Sequence, residues 1–140
     1  MYAKSFIALD GNDHLTGART AQAAPYDRYT CHLCGSALQY HPEYDTERPW
    51  FEHRHDRLTE NGRQHCPYVR PEPEEACHTR QLKCYVPDVR PLVFRDEWHC
   101  CDCDSNYHGE RYCLSCRTGG HSYALNDAGI RAAEATACAC

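Results

Sequence analysis

Apolar positions along this chain fall into short clusters separated by polar and proline-containing stretches. Residues 4–9 hold the run Phe6-Ile7-Ala8-Leu9, followed by Asp10-Gly11-Asn12-Asp13, whose side chains suit a turn, and this pattern predicts a short strand. Residues 17–24 are alanine-rich and predict one or two helical turns ended by Pro25. Leu38 and Tyr40, then Trp50 and Phe51, predict two strands joined by the polar loop 41–49. Residues 74–82 have acids in the first turn and cations near the end, which favours a short helix along its dipole. Leu92-Val93-Phe94 starts another strand. Residues 126–137 predict a helix capped by Asn126 and weakened by Gly129. Prolines punctuate 67–73 and 85–91, so the chain divides into a module at 1–70, a linker with a helix at 71–91, a second module at 92–125 and a tail at 126–140.

The cysteines give each module its character. Residues 98–123 carry two Cys-x-x-Cys pairs, Cys100 with Cys103 and Cys113 with Cys116. Each pair suits one tight knuckle whose backbone amides point at the sulfurs. Two facing knuckles set four thiolates at the corners of a tetrahedron, the preferred coordination of structural zinc. Residues 105–109 read as a hairpin returning the chain to the second knuckle. Cys101 lies beside Cys100, and the two-residue spacing to Cys103 selects Cys100. A third pair, Cys31 and Cys34, is followed by Gly35, which permits the left-handed turn beneath a metal. His53, His55, His65 and Cys66 all lie within sequence reach of it. Cys77, Cys84, Cys138 and Cys140 are left over; Cys77, His78 and Cys84 are a weaker third metal set, and 138–140 reads as a frayed tail with free thiols. The competing reading of the pairs is disulfides, which a reducing compartment disfavours.

Composition makes the metal a condition of folding. Leu, Ile, Val and Phe number 18 of 140 residues, well below the roughly 20% under which chains tend to stay disordered. A structural zinc supplies an apparent ~10 to 16 kcal/mol of folding free energy, which such a core lacks. The first ten residues contain one Lys and a four-residue apolar run, too little for a signal peptide or a membrane span, and imply a cytoplasmic protein. The formal charge is −5, and seven thiolates with two zinc ions would bring it to about −8, unfavourable on average for phosphates. Arg54, Arg57, Arg63, Arg70, Arg80 and Lys83 are interleaved with acids, the pattern of a solvated surface.

Asp10-Gly11, the alanine-rich stretch, Tyr29-x-Cys31-x-x-Cys34 and Trp50-Phe51-Glu52-His53 together resemble the N-terminal zinc-binding segment of CoiA-like competence proteins, which carry a Cys-x-x-Cys and a later His-Phe-x-His. Trp50 replaces the first His of that motif, and His53 matches the second. From residue 4 to 123 the chain is similar to zinc-ribbon proteins of plasmids, prophages and other bacterial mobile elements. The resemblance implies His53 as a ligand. Cys66, a thiolate followed by Pro67, completes a three-cysteine, one-histidine set by its chemistry, with His55 and His65 as alternatives. The nuclease-like domain that follows in CoiA-like proteins has no counterpart in so short a chain, and its activity does not carry over.

Catalytic signatures are incomplete. His41-Pro42-Glu43 and His108-Gly109-Glu110 supply the His-x-Glu of zinc deaminases, but no Cys-x-x-Cys is preceded by Pro. Cys77 beside His78 is a poor nucleophile pair, because sequence neighbours seldom orient one another. The expected fold is a small zinc-stabilised α+β protein with two zinc-ribbon-like hairpin modules and short helices between and after them. The expected function is a non-enzymatic protein-interaction module that binds a host or element-encoded complex and masks its surface, as an inhibitor of a host defence complex such as CRISPR-Cas would. It needs no membrane and no small-molecule substrate, and its contact residues are Tyr107, Tyr112 and Tyr123. The alternative is a nucleic-acid-binding zinc ribbon, with tyrosines stacking bases. Metal analysis is expected to give about two structural zinc ions per chain, and chelation to abolish the folded circular-dichroism signal; a stable metal-free monomer would overturn the folding claim.

Overall fold

The computed structural model describes residues 2–125 and shows a small α+β protein with two antiparallel sheets and few helices. The first sheet has five strands, β1 (Ile7–Leu9), β2 (Leu15–Gly17), β3 (Tyr29–Thr30), β4 (Ala37–His41) and β5 (Trp50–His53), in the order β2-β1-β3-β4-β5. The helices α1 (Glu60–His65) and α2 (Pro73–Leu82) follow. The second sheet has β6 (Arg95–Cys100), β7 (Ser105–Glu110) and β8 (Ser122–Ala124) in the order β7-β6-β8. None of the described helices is long and apolar enough to cross a membrane.

Local chemistry explains the first sheet. Asp10 Oδ1 accepts from the amides of Asn12 and His14 at 2.8 and 3.0 Å, and Asp13 takes the left-handed conformation (φ 61°), so the polar turn closes the β1–β2 hairpin. Ser5 and Phe51 exchange both backbone hydrogen bonds, at 3.0 and 2.7 Å, which curls the sheet until the approach to β1 meets β5. This module is therefore larger than the hairpin expected of it. The alanine-rich stretch supplies one helical turn before Pro25, the 3-10 helix Thr20–Ala23, but it starts later than expected: Gly17 belongs to β2 and Ala18 donates to Phe6 O.

The core of this module is built from alanines, tyrosines and cysteines around Leu38 and Phe51. Tyr29, Tyr40 and Phe51 form an aromatic trio with centroids 5.0 to 5.9 Å apart. The phenol of Tyr29 donates to Ala24 O at 2.6 Å and that of Tyr40 to Ala18 O at 3.0 Å, so the short helical segment satisfies hydroxyls that burial would otherwise leave costly. Trp50 stacks on His41 at 4.1 Å, with Arg90 and Lys4 within 4.6 and 4.8 Å of its ring.

The second module departs from the expected hairpin. Residues 105–109 lie within the single strand β7, and the reversal is the knuckle at 101–104, because the turn that bends the chain around a metal is already tight enough to return it. Leu92-Val93-Phe94 is not strand; pairing begins at Arg95. The predicted helix at 126–137 lies outside the described residues.

A polar seam joins the modules. Tyr68, buried in the segment expected to be a proline linker, donates to Glu110 Oε1 at 2.6 Å. His32 Nε2 stands 3.5 Å from the same oxygen, within ion-pair range but not aligned as a hydrogen bond, and Arg95 Nε stands 3.9 Å away. Burial alone would raise the Glu110 pKa, but His32, Tyr68 and the residue's own amide outweigh it and hold the carboxyl at about 2. Burial and the neighbouring carboxylate push Tyr68 upward, so it stays a neutral donor. Because the folded pKa lies below the ordinary carboxyl value of about 4.3, this contribution is complete above that pH and fades as pH falls toward 2. Glu110→Gln and Tyr68→Phe should each lower stability by about 1 to 3 kcal/mol. Chemical denaturation of the zinc-loaded protein at pH 7 should find the double variant less destabilised than the sum, and simple additivity would show that the pair is not coupled.

Candidate metal centres

The first centre is assembled from three directions. Cys31 and Cys34 stand on the knuckle between β3 and β4, where Cys31 N donates to Ser36 O at 2.8 Å and Gly35 N to Cys31 O at 2.9 Å, with Gly35 at φ 72°. His53 ends β5 opposite Leu38, and Cys66 caps the C-terminus of α1. Helix α1 is anchored to the knuckle at its other end. Its cap Thr59 accepts from Gly62 N at 3.0 Å, donates to Cys34 O at 2.9 Å, and its amide donates to Ser36 Oγ at 3.0 Å.

Distances decide whether zinc fits. A tetrahedron with Zn–S bonds near ~2.3 Å and Zn–N bonds near ~2.0 Å has S···S edges of about 3.8 Å and S···N edges of about 3.5 Å. Cys31 Sγ lies 3.9 Å from Cys66 Sγ, and His53 Nε2 lies 3.7 Å from Cys34 Sγ and 3.6 Å from Cys66 Sγ. In the ribbon, Cys100 Sγ is 3.7 Å from Cys116 Sγ and Cys103 Sγ 3.5 Å from Cys113 Sγ. Within each set all donor atoms lie within 4.8 Å of one another. Both sets accept a zinc ion without rearrangement, and all of their cysteines are free thiols. With four protein ligands each, they fit two structural zinc ions.

Ionisation shows what the metal does for the fold. The contacts of Cys34 with Cys31 and Cys66 pull the Cys34 pKa down and push those two up, Cys31 to about 12, because sulfurs this close disfavour ionising together. In the ribbon, the amides of Cys103 and Asp102 hold Cys100 at about 6, whereas burial raises Cys113 and raises Cys116 to about 12. A dication must supply the charge that ionises the rest. Zinc loading therefore releases protons and weakens as pH falls.

Each knuckle places a left-handed residue directly after its second cysteine: Gly35 at φ 72°, Asp104 at 53° and Arg117 at 56°. Only the glycine announced this in the sequence. Arg117 N donates to Cys113 O at 2.7 Å, repeating the bond from Gly35 N to Cys31 O.

The structure brings Cys31, Cys34, His53 and Cys66 together, and likewise Cys100, Cys103, Cys113 and Cys116. His55 is exposed and bonded to the Tyr2 hydroxyl, and His65 is exposed on α1 beside Thr118, so neither joins the first set. Cys101 is exposed in the knuckle turn, and among the described residues Cys77, His78 and Cys84 form no donor group. Cys138 and Cys140 lie outside the described residues. The tyrosines expected to face a partner divide. Tyr123 is exposed on β8; Tyr107 is half-buried with its hydroxyl on Ser122; Tyr112 is buried and bonded to Asn61. Tyr112 is thus corrected from a contact residue to part of the seam, since the ring is enclosed where the ribbon meets α1.

Fold and donor sets define a zinc-binding protein with two structural centres, the second of them in a zinc ribbon. The model described as "Probable zinc-ribbon" matches residues 93–137. The chain belongs to the family described as "Domain of unknown function (DUF7828)", whose model matches residues 2–88. No curated protein and no solved structure matches the chain.

Gly62 tests how closely α1 must approach the first knuckle. A Cβ there would stand 2.3 Å from Ser36 Oγ, 2.9 Å from Cys34 Sγ and 3.0 Å from Thr59 Oγ1. Gly62→Ala should cost about 1 to 3 kcal/mol through overpacking despite the better helix propensity of Ala. Competition with a chromogenic chelator should show one of the two zinc ions leaving more readily; unchanged release of both would refute the close-approach reading.

Proposed function

We propose that the protein is a non-catalytic, zinc-stapled interaction module acting in the cytoplasm on a protein complex. The observation that carries this reading is the connector between α2 and β6. Tyr85, Val86, Leu92 and Phe94 are 85, 52, 63 and 59% exposed, a concentration of apolar side chains outside the buried core. Exposed aromatic and aliphatic groups gathered in one segment are the usual anchors of a protein contact. Both zinc ions would have four protein ligands, leaving no open position for water or substrate, which supports the non-catalytic reading.

The biological setting we propose is that of a mobile-element protein that inhibits a host defence complex by covering its surface. Its support is the similarity of the cysteine pattern to zinc-ribbon and CoiA-like segments, together with net negative charge. The connector, with Tyr123 on the ribbon edge, takes the contact role.

The test is affinity purification from host lysate with zinc-loaded wild type and a Tyr85→Ser/Phe94→Ser variant, after nuclease treatment. A complex recovered by the wild type and lost by a variant that still holds two zinc ions supports the reading. Equal recovery by both removes the connector from it, and a complex that disappears with nuclease replaces it with nucleic-acid binding.

A further inference from the structure

A cleft of about 580 Å³ opens between the modules, bounded by α1 and the segment after it on one side and by the second ribbon knuckle on the other. Arg70, Arg111, Arg117, His65 and His121 line it against a single acid, Glu72. That acid is already engaged by Arg111, whose Nη1 stands 3.0 Å from it, while Arg111 Nε donates to Ser122 O at 2.9 Å. Arg70 and Arg117 are exposed, and among the described residues neither guanidinium has an ion pair or a hydrogen bond. We propose that this cleft is a binding site for a phosphate-class oxyanion, held between Arg70 and Arg117.

Three considerations carry the assignment. Guanidinium forks match phosphate oxygens in pairs, with charge-assisted bonds about twice as strong as neutral ones. Secondly, Arg117 occupies a left-handed position, φ 56°, that glycine fills in the first knuckle. An L-residue there brings its Cβ close to its own backbone, and an arginine is a poor choice for the turn alone. Its carbonyl is pinned by Asn61 Nδ2 at 2.9 Å, which fixes the backbone from which the side chain reaches into the cleft. Thirdly, the opposing term is the adjacent four-cysteine centre, since Cys116 also lines the cleft and a zinc with four thiolates carries two negative charges. Neither Arg70 nor Arg117 donates to a ligand sulfur among the described residues, so their charge is not spent on that centre. A phosphate oxygen meets the guanidiniums directly, at about 2.8 Å, whereas the zinc charge is spread over four sulfurs.

Phosphate chemistry has two sources, a free phosphate compound and the backbone of a nucleic acid, and the experiment separates them. The zinc-loaded full chain is titrated at low salt with pyrophosphate by calorimetry and with a fluorescent twelve-nucleotide oligothymidine by anisotropy. Arg70→Gln/Arg117→Gln is the test variant and Arg57→Gln/Arg80→Gln the control, each checked for two bound zinc ions. Binding of at least one probe is expected, weakened on the order of tenfold or more in the test variant and unchanged in the control. An oligonucleotide that binds more tightly than pyrophosphate identifies a nucleic-acid backbone; the reverse order identifies a free phosphate compound. Absence of binding by both probes, or equal loss in the two variants, overturns the site. Because the cleft shares no residue with the apolar connector, this outcome leaves the protein-contact reading standing on its own test.

Discussion

Seven sulfurs are held in two clusters close enough to share one ion each, and that crowding is the constraint on which the fold depends. Like charges at such distances oppose one another's ionisation, and the neighbouring sulfurs push Cys31 and Cys66 upward while they pull Cys34 down. A dication reverses this. It favours ionisation of every thiol ligand at once, with His53 binding as neutral imidazole, and would turn mutual repulsion into bonds that tie the β3–β4 knuckle, β5 and the end of α1 together. Cys31 and Cys66 are also members of the buried core, so the metal centre and the apolar core are physically continuous. Among the described residues, the buried apolar side chains outside this cluster are few.

The tyrosines gain a meaning that composition alone did not give them. Ten tyrosines in a short acidic chain suggest a contact surface, yet Tyr29, Tyr68 and Tyr112 are buried, and Tyr40 packs partly buried against the core. Each places a bulky ring where Leu or Ile would ordinarily stand and sends its hydroxyl to a fixed acceptor: Ala24 O, Ala18 O, Glu110 or Asn61. A ring that ends in a directed hydrogen bond specifies position more narrowly than an aliphatic side chain does.

How much of this was legible in the sequence depends on whether the controlling contact was local. The ribbon cysteines and Cys31 with Cys34 could be read because knuckle spacing is local chemistry, and the Asp10 turn and α2 could be read for the same reason. The third and fourth ligands of the first centre were open in the spacing, because β5 and the end of α1 are brought to the knuckle by tertiary pairing; the choice of His53 rested on a motif and that of Cys66 on donor chemistry. The burial of Tyr112 depends on Asn61, 51 residues away, and that of Tyr68 on Glu110, 42 residues away. No window along the chain contains those pairs. The left-handed positions at Asp104 and Arg117 were hidden because neither is a glycine, although each occupies the same place in its knuckle as Gly35.

The seam between the modules follows from the same centres. His32 adjoins the ligand Cys31, Tyr68 lies two residues beyond Cys66, Glu110 lies three before Cys113, and Arg117 directly follows Cys116. Almost every group that bridges the modules is thus positioned by a backbone segment that a metal ion fixes. Loss of zinc from one centre would loosen the partners of the other even though no ligand is shared. The two modules are thus joined through contacts made beside their ligand residues, and the walls of the cleft between them belong to the same backbone segments. The zinc ions need perform no chemistry of their own for the surfaces around them to depend on them, because the connector, the ribbon edge and the arginine-lined cleft are all held relative to those two fixed points.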